Sequence, residues 1–165
     1  MATLFITCGV PGSGKTTVAR QLETKHRALR LTGDEWLHAL YPEMNVALSK
    51  VHRPAVERVQ WDLALRALAN DWNVVLDWGL WSREERDRYR SEAQARGARV
   101  VLCLMKVSRE ELLRRLAARN ADLPGGTFHI SEAILDEGLA SFERAPTADE
   151  LALFDDVIVY KAERT

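Results

Sequence analysis

The sequence predicts an α/β fold, a three-layer sandwich of about five parallel strands with helices on both faces and a short helical lid. Two observations predict it. Short apolar, β-branched runs alternate along the chain with longer amphipathic stretches, and such alternation gives a parallel sheet with right-handed crossovers. The runs are continuously apolar, as strands buried on both faces require. Ligands of such sheets bind beyond the carboxyl ends of the strands, so a site is expected there.

The length and composition are those of one globular domain, 1–165, with a single core. Apolar residues make up 47% of the chain and charged residues 28%, which excludes disorder and low-complexity repeats. The net charge of -1 offers no positive surplus of the kind that nucleic-acid binders carry. The chain shows no disulfide framework, no bilayer-length apolar stretch and no basic segment before its first apolar run. A cytoplasmic location with no membrane partner is therefore expected.

Five runs are predicted as strands, at 4–7, 28–31, 73–77, 99–105 and 156–160. Two helices are predicted between the first three strands, at 15–25 and at 54–70. The second helix carries an apolar stripe that is expected to face the core, formed by Val56, Val59, Leu63 and Ala67.

Three S/T-x-x-E segments predict the starts of later helices, because the hydroxyl and the carboxylate satisfy free amides of the first turn reciprocally. These segments begin at Ser82, Ser108 and Thr147. The first of these helices is rich in arginine and is expected to end at Gly97, with most of its charge on a solvated face.

A complete G-x-x-x-x-G-K-[ST] motif follows the first predicted strand, at positions 9–16. Its glycines let the loop wrap with its amides inward, and these amides form an anion cradle with the next helix. Lys15 places a positive charge on the β- and γ-phosphates, and the Thr16 hydroxyl is a ligand for Mg²⁺. The motif and its context predict ATP and Mg²⁺ as cofactors; a chance glycine turn is the alternative. The expected nucleotide contacts in this loop are Gly9, Pro11, Gly12, Ser13, Gly14, Lys15, Thr16 and Thr17.

Carboxylates follow the second and third predicted strands. Asp34 stands where an acceptor hydroxyl would meet the γ-phosphate, and it can take the proton or align the hydroxyl. The alternative for Asp34 is a helix cap. Asp77 ends the third strand and is expected to hold a magnesium-bound water or to contact the acceptor, with a solvated strand end as the alternative.

Three of the five tryptophans fall at these same strand exits: Trp36, Trp78 and Trp81. Indoles beside a catalytic acid suit a planar or partly apolar acceptor, so these three are candidates for acceptor binding. Packing in the core is the equal alternative. Trp61 and Trp72 are expected in the core or on its flank.

A helix and the loop after it, approximately 108–131, are predicted to form a lid. Arg115 and Arg119 are four residues apart and therefore share one face of the helix, and the loop contains Pro124-Gly125-Gly126. Two guanidinium groups on this mobile element can close over the phosphates and offset charge in the transition state. An exposed arginine-rich helix is the alternative.

These features resemble the small P-loop kinase group of P-loop NTPases, which includes polynucleotide 5′-hydroxyl kinases, zeta-toxin-type kinases and chloramphenicol phosphotransferase. The resemblance covers most of the chain, namely 9–17, Asp34, 74–77, 115–119 and 142–150. It implies that Asp34 acts as the base toward the acceptor hydroxyl and that Arg115 and Arg119 belong to the lid. It also implies that Pro146 and Thr147 border the adenine.

One departure bears on the acceptor. Polynucleotide kinases carry an arginine shortly after the base, whereas here Asp34 is followed by Glu35-Trp36-Leu37-His38, with no cation at that place. This departure, like the net charge, weakens the case for a nucleic-acid acceptor.

The sequence thus predicts an ATP- and Mg²⁺-dependent kinase that phosphorylates a hydroxyl of a small-molecule acceptor such as an antibiotic, a nucleoside or a sugar. No guanine-specific N-K-x-D is present, and the chain is short for a motor with sensors and a lid domain. Lys15, Asp34 and Arg119 are the expected catalytic residues. A regulatory ATP-binding protein or ATPase, and a nucleic-acid 5′-hydroxyl kinase, remain as alternatives.

Overall fold

The structure is a computed structural model, and it describes residues 1–41, 43–142 and 146–161. In that part of the chain one sheet is formed by β1 (Thr3–Cys8), β2 (Leu29–Thr32), β3 (Val74–Asp77), β4 (Arg99–Lys106) and β5 (Asp156–Lys161). Every neighbouring pair of strands is parallel. The predicted fold class is confirmed, and each predicted strand overlaps an observed one.

The helices of the described ranges are α1 (Lys15–His26), α2 (Gly33–Leu40), α3 (Val46–Ala69), α4 (Arg83–Gln94), α5 (Arg109–Ala121), α6 (Glu132–Ser141) and α7 (Ala148–Leu151). None of these helices combines the length and the apolar character that crossing a membrane requires. The segment predicted as a lid contains α5 and the loop after it, and it ends at Ser131, the N-cap of α6.

The sheet buries both of its faces, as its continuously apolar strands predict. On one face Leu4 and Ile6 of β1 share a core with Trp61 of α3. On the other face Phe5 packs with Val18 of α1. Fully burying one such side chain contributes about 1.5–3 kcal/mol, so both layers of helices are held to the sheet by the hydrophobic effect.

The strand order β2-β3-β1-β4-β5 brings the ends of the first three strands together. β3 pairs with β1 on one side and with β2 on the other, and Thr32 lies level with Asp77. The residues that follow β1, β2 and β3 therefore meet at one edge. The strands could be predicted from the sequence, but their order in the sheet could not. Which strands become neighbours depends on how the connecting helices pack against the sheet.

α3 is longer than predicted and turns a different face to the core. It begins at Val46, where Asn45 caps it by accepting a hydrogen bond from the Leu48 amide at 3.0 Å. The prediction began this helix at Pro54, which instead lies inside it. The predicted stripe was also wrong in part, because the buried positions are Ser49, Val56, Gln60, Trp61, Ala64 and Leu68.

In all three S/T-x-x-E segments the hydroxyl oxygen caps the helix by accepting from the amide of the glutamate, as predicted. At α4 the full box is present, with the Ser82 hydroxyl and the Glu85 carboxylate bonding reciprocally. At α5 and α7 the hydroxyls of Ser108 and Thr147 cap the helices, but the glutamates bond to arginines instead. Arg86 of α4 is one of these arginines and is buried. The other charged side chains of α4 are exposed or partly exposed, in agreement with the predicted solvated face, and Arg86 is the exception.

Candidate functional site

The glycine-rich loop connects β1 to α1 in the conformation that its glycines allow. Gly12 and Gly14 have φ of 81° and 95°, in the left-handed region that glycine adopts readily. Gly14 is the N-cap of α1, so the free amides of the first helical turn point at the loop. A Cβ on Gly9 would lie 2.8 Å from the Ser13 hydroxyl, so this position has no room for a side chain. The geometry is that of an anion cradle.

Lys15 lies inside this cradle. Its Nζ donates to the carbonyl of Val10 at 2.9 Å. Burial lowers the pKa of the Lys15 ammonium, while the nearby carboxylates of Asp77 and Asp34 oppose that shift. The loop thus holds a poorly solvated cation next to free amides, an arrangement that phosphate oxygens would stabilise.

Asp77 and Thr16 form an oxygen-rich corner beside the cradle. The Asp77 Oδ2 atom accepts from the Thr32 hydroxyl at 3.0 Å. The Thr16 hydroxyl lies close enough to favour the charged carboxylate, yet the buried Oδ1 atom has no hydrogen-bond partner among the described residues. Burial is the largest influence and raises the pKa of Asp77.

The unpartnered Oδ1 atom and the Thr16 hydroxyl fit Mg²⁺, because Mg²⁺ takes oxygen ligands and is bound by few protein groups besides phosphates and waters. No cluster of three or more His, Cys, Asp or Glu suited to a metal occurs in the described ranges.

Asp34 lies in the first turn of α2 and is held by an arginine from α3. Its Oδ1 accepts from Arg53 Nη2 at 2.7 Å, and both side chains are partly exposed. Sequence reasoning missed Arg53, because the cation was sought just after Asp34 and the helix was predicted to begin one residue later. The asparagine cap at Asn45 is the signal that could have placed Arg53 on α3.

Glu57, one turn after Arg53 on α3, was also missed. Its Oε1 lies 3.7 Å from Arg53 Nη1, so one guanidinium bridges the carboxylates of Asp34 and Glu57. Desolvation raises the pKa of Glu57 to about 7, and Arg53 opposes this shift. The surroundings of Asp34 are therefore polar, with two carboxylates that share one guanidinium group.

The raised pKa of Glu57 predicts a pH-dependent contribution to stability. Between the ordinary value of 4.5 and about 7 the folded protein keeps a proton that the unfolded chain releases, so rising pH weakens the fold. Glu57→Gln removes this effect. The melting temperature of the variant is expected to rise relative to the parent by about 3 °C or more from about pH 5 to about pH 8.

Thermal unfolding of both proteins at the two pH values measures this difference. Glu43→Gln removes an exposed carboxylate just before α3 and is the control. A constant difference between Glu57→Gln and the parent at both pH values would contradict the prediction.

The lid helix α5 lies directly on the glycine loop. A Cβ on Gly12 would be 2.9 Å from Leu116 Cγ, and Arg115 Nη1 is 3.5 Å from the carbonyl oxygen of Ser13. Arg115 also donates to Glu111 at 2.6 Å, which holds its guanidinium over the loop. The structure therefore brings the predicted lid residue Arg115 to the predicted cradle.

Arg119 lies one turn further along α5 and is partly buried. Its Nη2 donates to the carbonyl of Phe128 at 3.1 Å, while its buried Nε has no partner within the described part of the chain. Burial lowers the pKa of Arg119, and the charge of Asp34 opposes this shift. Lys15, Asp34 and Arg119 thus lie within electrostatic reach of one another.

The three candidate tryptophans have different surroundings. Trp78 is a core residue, 3% exposed, whose indole donates to Gln60 Oε1 at 2.9 Å; this corrects its predicted role in acceptor binding. Trp36 is partly buried between two cores. Trp81 donates to the Gly9 carbonyl at 3.2 Å and so contacts the loop rather than the Asp34 side. Trp61 is buried in the core, as predicted, whereas Trp72 is 64% exposed, which does not agree with its predicted place in the core or on its flank.

The remaining predicted residues lie at the periphery. Pro11 faces Gly138 of α6, and Thr17 is exposed on α1. Thr147 caps α7 by accepting from the Glu150 amide at 3.3 Å, and Pro146 precedes it. Residues 143–145 of the tail, which contribute to the resemblance, lie outside the described residues.

A parallel sheet with a phosphate-binding loop after its central strand and a helical lid on that loop defines the small P-loop kinase group. Comparisons of this chain with known protein families and structures agree with this class. A family model described as AAA domain matches residues 4–145, and the chain belongs to that family. The predicted membership of the small P-loop kinase group is thereby confirmed.

Similar proteins include two that are named as gluconokinases. A protein named probable gluconokinase from Schizosaccharomyces pombe is 28% identical over 169 residues, covering 97% of this chain and 80% of that protein. The structure of a gluconokinase from Sinorhizobium meliloti 1021 is similar with a TM-score of 0.63 at 18% identity, over 99% of this chain and 84% of that chain. Kti12 from Chaetomium thermophilum, in complex with ADP-AlF3, gives 0.71 at 16% identity, over 97% and 89%. The two solved structures support the fold alone.

Proposed function

We propose that the protein transfers the γ-phosphoryl group of ATP to a hydroxyl group of a small-molecule acceptor. The observation that carries the proposal is the glycine loop after β1, which holds Lys15 inside it and has the lid helix α5 packed directly on it. The charges of Asp34 at the exit of β2 and of Arg119 on the lid both act on Lys15. Phosphoryl transfer needs little covalent chemistry from the protein, because positioning and charge stabilisation supply most of the acceleration. These three residues offer both.

The nucleotide side is formed by the loop and the lid. The loop amides and Lys15 bind the β- and γ-phosphates, and Arg119 stabilises the charge that develops on the migrating group. Arg115 holds the lid on the loop through Ser13. Closure of α5 excludes water, which would otherwise compete with the acceptor.

Thr16 and Asp77 would hold Mg²⁺, directly or through water, next to the phosphates. When bound, the ion neutralises charge on the β- and γ-phosphates. The Thr32 hydroxyl orients Asp77 by bonding to its other oxygen, which leaves Oδ1 free for this purpose. We therefore assign Asp77 to the metal side rather than to the acceptor.

The acceptor side is formed by Asp34, Arg53 and Glu57. Asp34 aligns the acceptor hydroxyl and takes its proton, and Arg53 fixes the orientation of this carboxylate. Three charged groups beside the reacting hydroxyl suit a compound with several hydroxyl groups. With Trp78 in the core and Trp81 bonded to Gly9, these two indoles do not support a planar acceptor. Of the predicted acceptor classes we therefore favour a sugar or a sugar acid, which agrees with the names of the relatives.

Acceptor-stimulated release of ADP tests the proposal. The panel consists of gluconate, neutral sugars, nucleosides, aminoglycosides, phenicols and an oligonucleotide with a 5′-hydroxyl. We expect stimulation by a sugar or a sugar acid. Nucleotide binding without stimulation by any compound would instead support a regulatory ATP-binding protein or ATPase. Stimulation by the oligonucleotide, with an affinity that falls steeply with salt, would indicate a nucleic-acid kinase.

A further inference from the structure

The first glycine of the phosphate loop is held on both sides by the β3–α4 loop, residues 78–82. The Gly9 amide donates to the carbonyl of Gly79 at 3.1 Å. The Gly9 carbonyl accepts from the Trp81 indole at 3.2 Å. A side chain on Gly79 would collide with that indole, so the glycine allows Trp81 to reach Gly9. The β3–α4 loop thus determines where the cradle begins.

Arg86 in turn holds the β3–α4 loop. Its Nη1 donates to the carbonyl of Leu80 at 3.1 Å and to that of Trp81 at 2.9 Å. Leu80 has φ of 45°, in the left-handed region that a leucine adopts only where its surroundings enforce it. The guanidinium therefore secures a backbone conformation that the local sequence does not favour.

Glu150 of α7 completes the support. Its two oxygens accept from Arg86 Nε at 2.6 Å and from Nη2 at 3.2 Å, and the two side chains are 1% and 2% exposed. Such a buried pair is often replaceable by apolar residues without loss of stability, so stability alone does not account for it. Apolar side chains could not hold the carbonyls of Leu80 and Trp81.

We propose that Arg86 and Glu150 are positioning residues for the nucleotide. Acting through Trp81 and Gly79, they fix Gly9 and hence the amide cradle, and they tie the cradle to α7. The proposal rests on the proposed function in that the cradle binds ATP. The acceptor groups Asp34 and Arg53 lie on α2 and α3 and bond to each other. We therefore expect Arg86 and Glu150 to govern the affinity for the nucleotide and not the affinity for the acceptor.

Two conservative variants test this inference by calorimetric binding of ADP and by kinetics. Trp81→Phe keeps the ring and removes the indole N–H, so the Kd for ADP and the KM for ATP are expected to rise about three- to tenfold. Arg86→Lys keeps the charge beside Glu150 but loses the fork that serves two carbonyls and a carboxylate, so a rise of about tenfold or more is expected. The KM for the acceptor is expected to stay unchanged in both variants.

Arg90→Lys is the matched control, because Arg90 is a largely buried arginine of the same helix that bonds to Asp87 and Gln94. It is expected to leave the Kd for ADP unchanged. If the Arg86→Lys variant does not fold, the Kd of Trp81→Phe for ADP still tests the inference. A parental Kd for ADP in Trp81→Phe, or in a merely less stable Arg86→Lys, would overturn the inference. ADP binding needs no acceptor, so a failed acceptor panel would refute the proposed function without affecting this test.

Discussion

Lys15→Met is expected to lower kcat/KM for phosphoryl transfer by about a thousandfold, the largest effect that we expect from a single substitution. The lysine is the cation inside the cradle, and its loss removes a charge-assisted bond that strengthens in the transition state. ATP affinity is expected to fall about ten- to hundredfold. The measurements are steady-state kinetics with the best acceptor and calorimetric binding of ATP.

The same substitution is expected to leave the melting temperature equal or higher. Burial lowers the pKa of Lys15, so the folded protein without phosphate pays a desolvation cost for this ammonium. Lys25→Met, in the exposed last turn of the same helix, is the control and is expected to retain parental transfer. Transfer by Lys15→Met within about tenfold of the parent would contradict the role of Lys15.

Asp34→Asn is expected to preserve ATP binding and to lower the rate of transfer by about a hundredfold or more, the usual scale for losing a general base. Asparagine has the same shape and still accepts from Arg53, but it cannot take a proton. The expected pattern is therefore a lowered kcat with an unchanged Kd for ATP. Rapid-quench single-turnover assays at saturating ATP measure the rate of the chemical step directly.

Asp62→Asn changes an exposed acid about two and a half turns beyond Arg53 on α3. It is the control and is expected to transfer phosphate at the parental rate. Retained transfer in Asp34→Asn would remove Asp34 from the mechanism. If ATP binding were lost together with transfer, Asp34 would belong to the nucleotide side instead.

The sheet and the phosphate loop could be predicted because their signals are local. A strand buried on both faces must be apolar at successive positions, so runs such as 73–77 and 99–105 identify themselves. The loop needs glycine where φ is positive, as at Gly12 and Gly14, and such a requirement is visible in the sequence. The S/T-x-x-E segments likewise marked three helix starts.

The acceptor side could not be predicted in the same way. Arg53 reaches Asp34 across 19 positions of sequence, and Glu57 reaches the same guanidinium one turn later. Pro54 led the prediction to start the helix too late, although the cap at Asn45 was present. Trp78 stood at the expected strand exit, but its indole turned inward to Gln60.

The sequence by itself determined the class of fold, the phosphate loop with Lys15 and Thr16, and the acids at two strand ends, since each depends on backbone conformation or burial within a few residues. Only the tertiary structure decided the strand order, the pairing of Asp34 with Arg53 and the support of Gly9 by Trp81, Arg86 and Glu150. The physical reason is that these contacts join separate segments, and their partners are selected by packing of whole helices on the sheet rather than by any local preference.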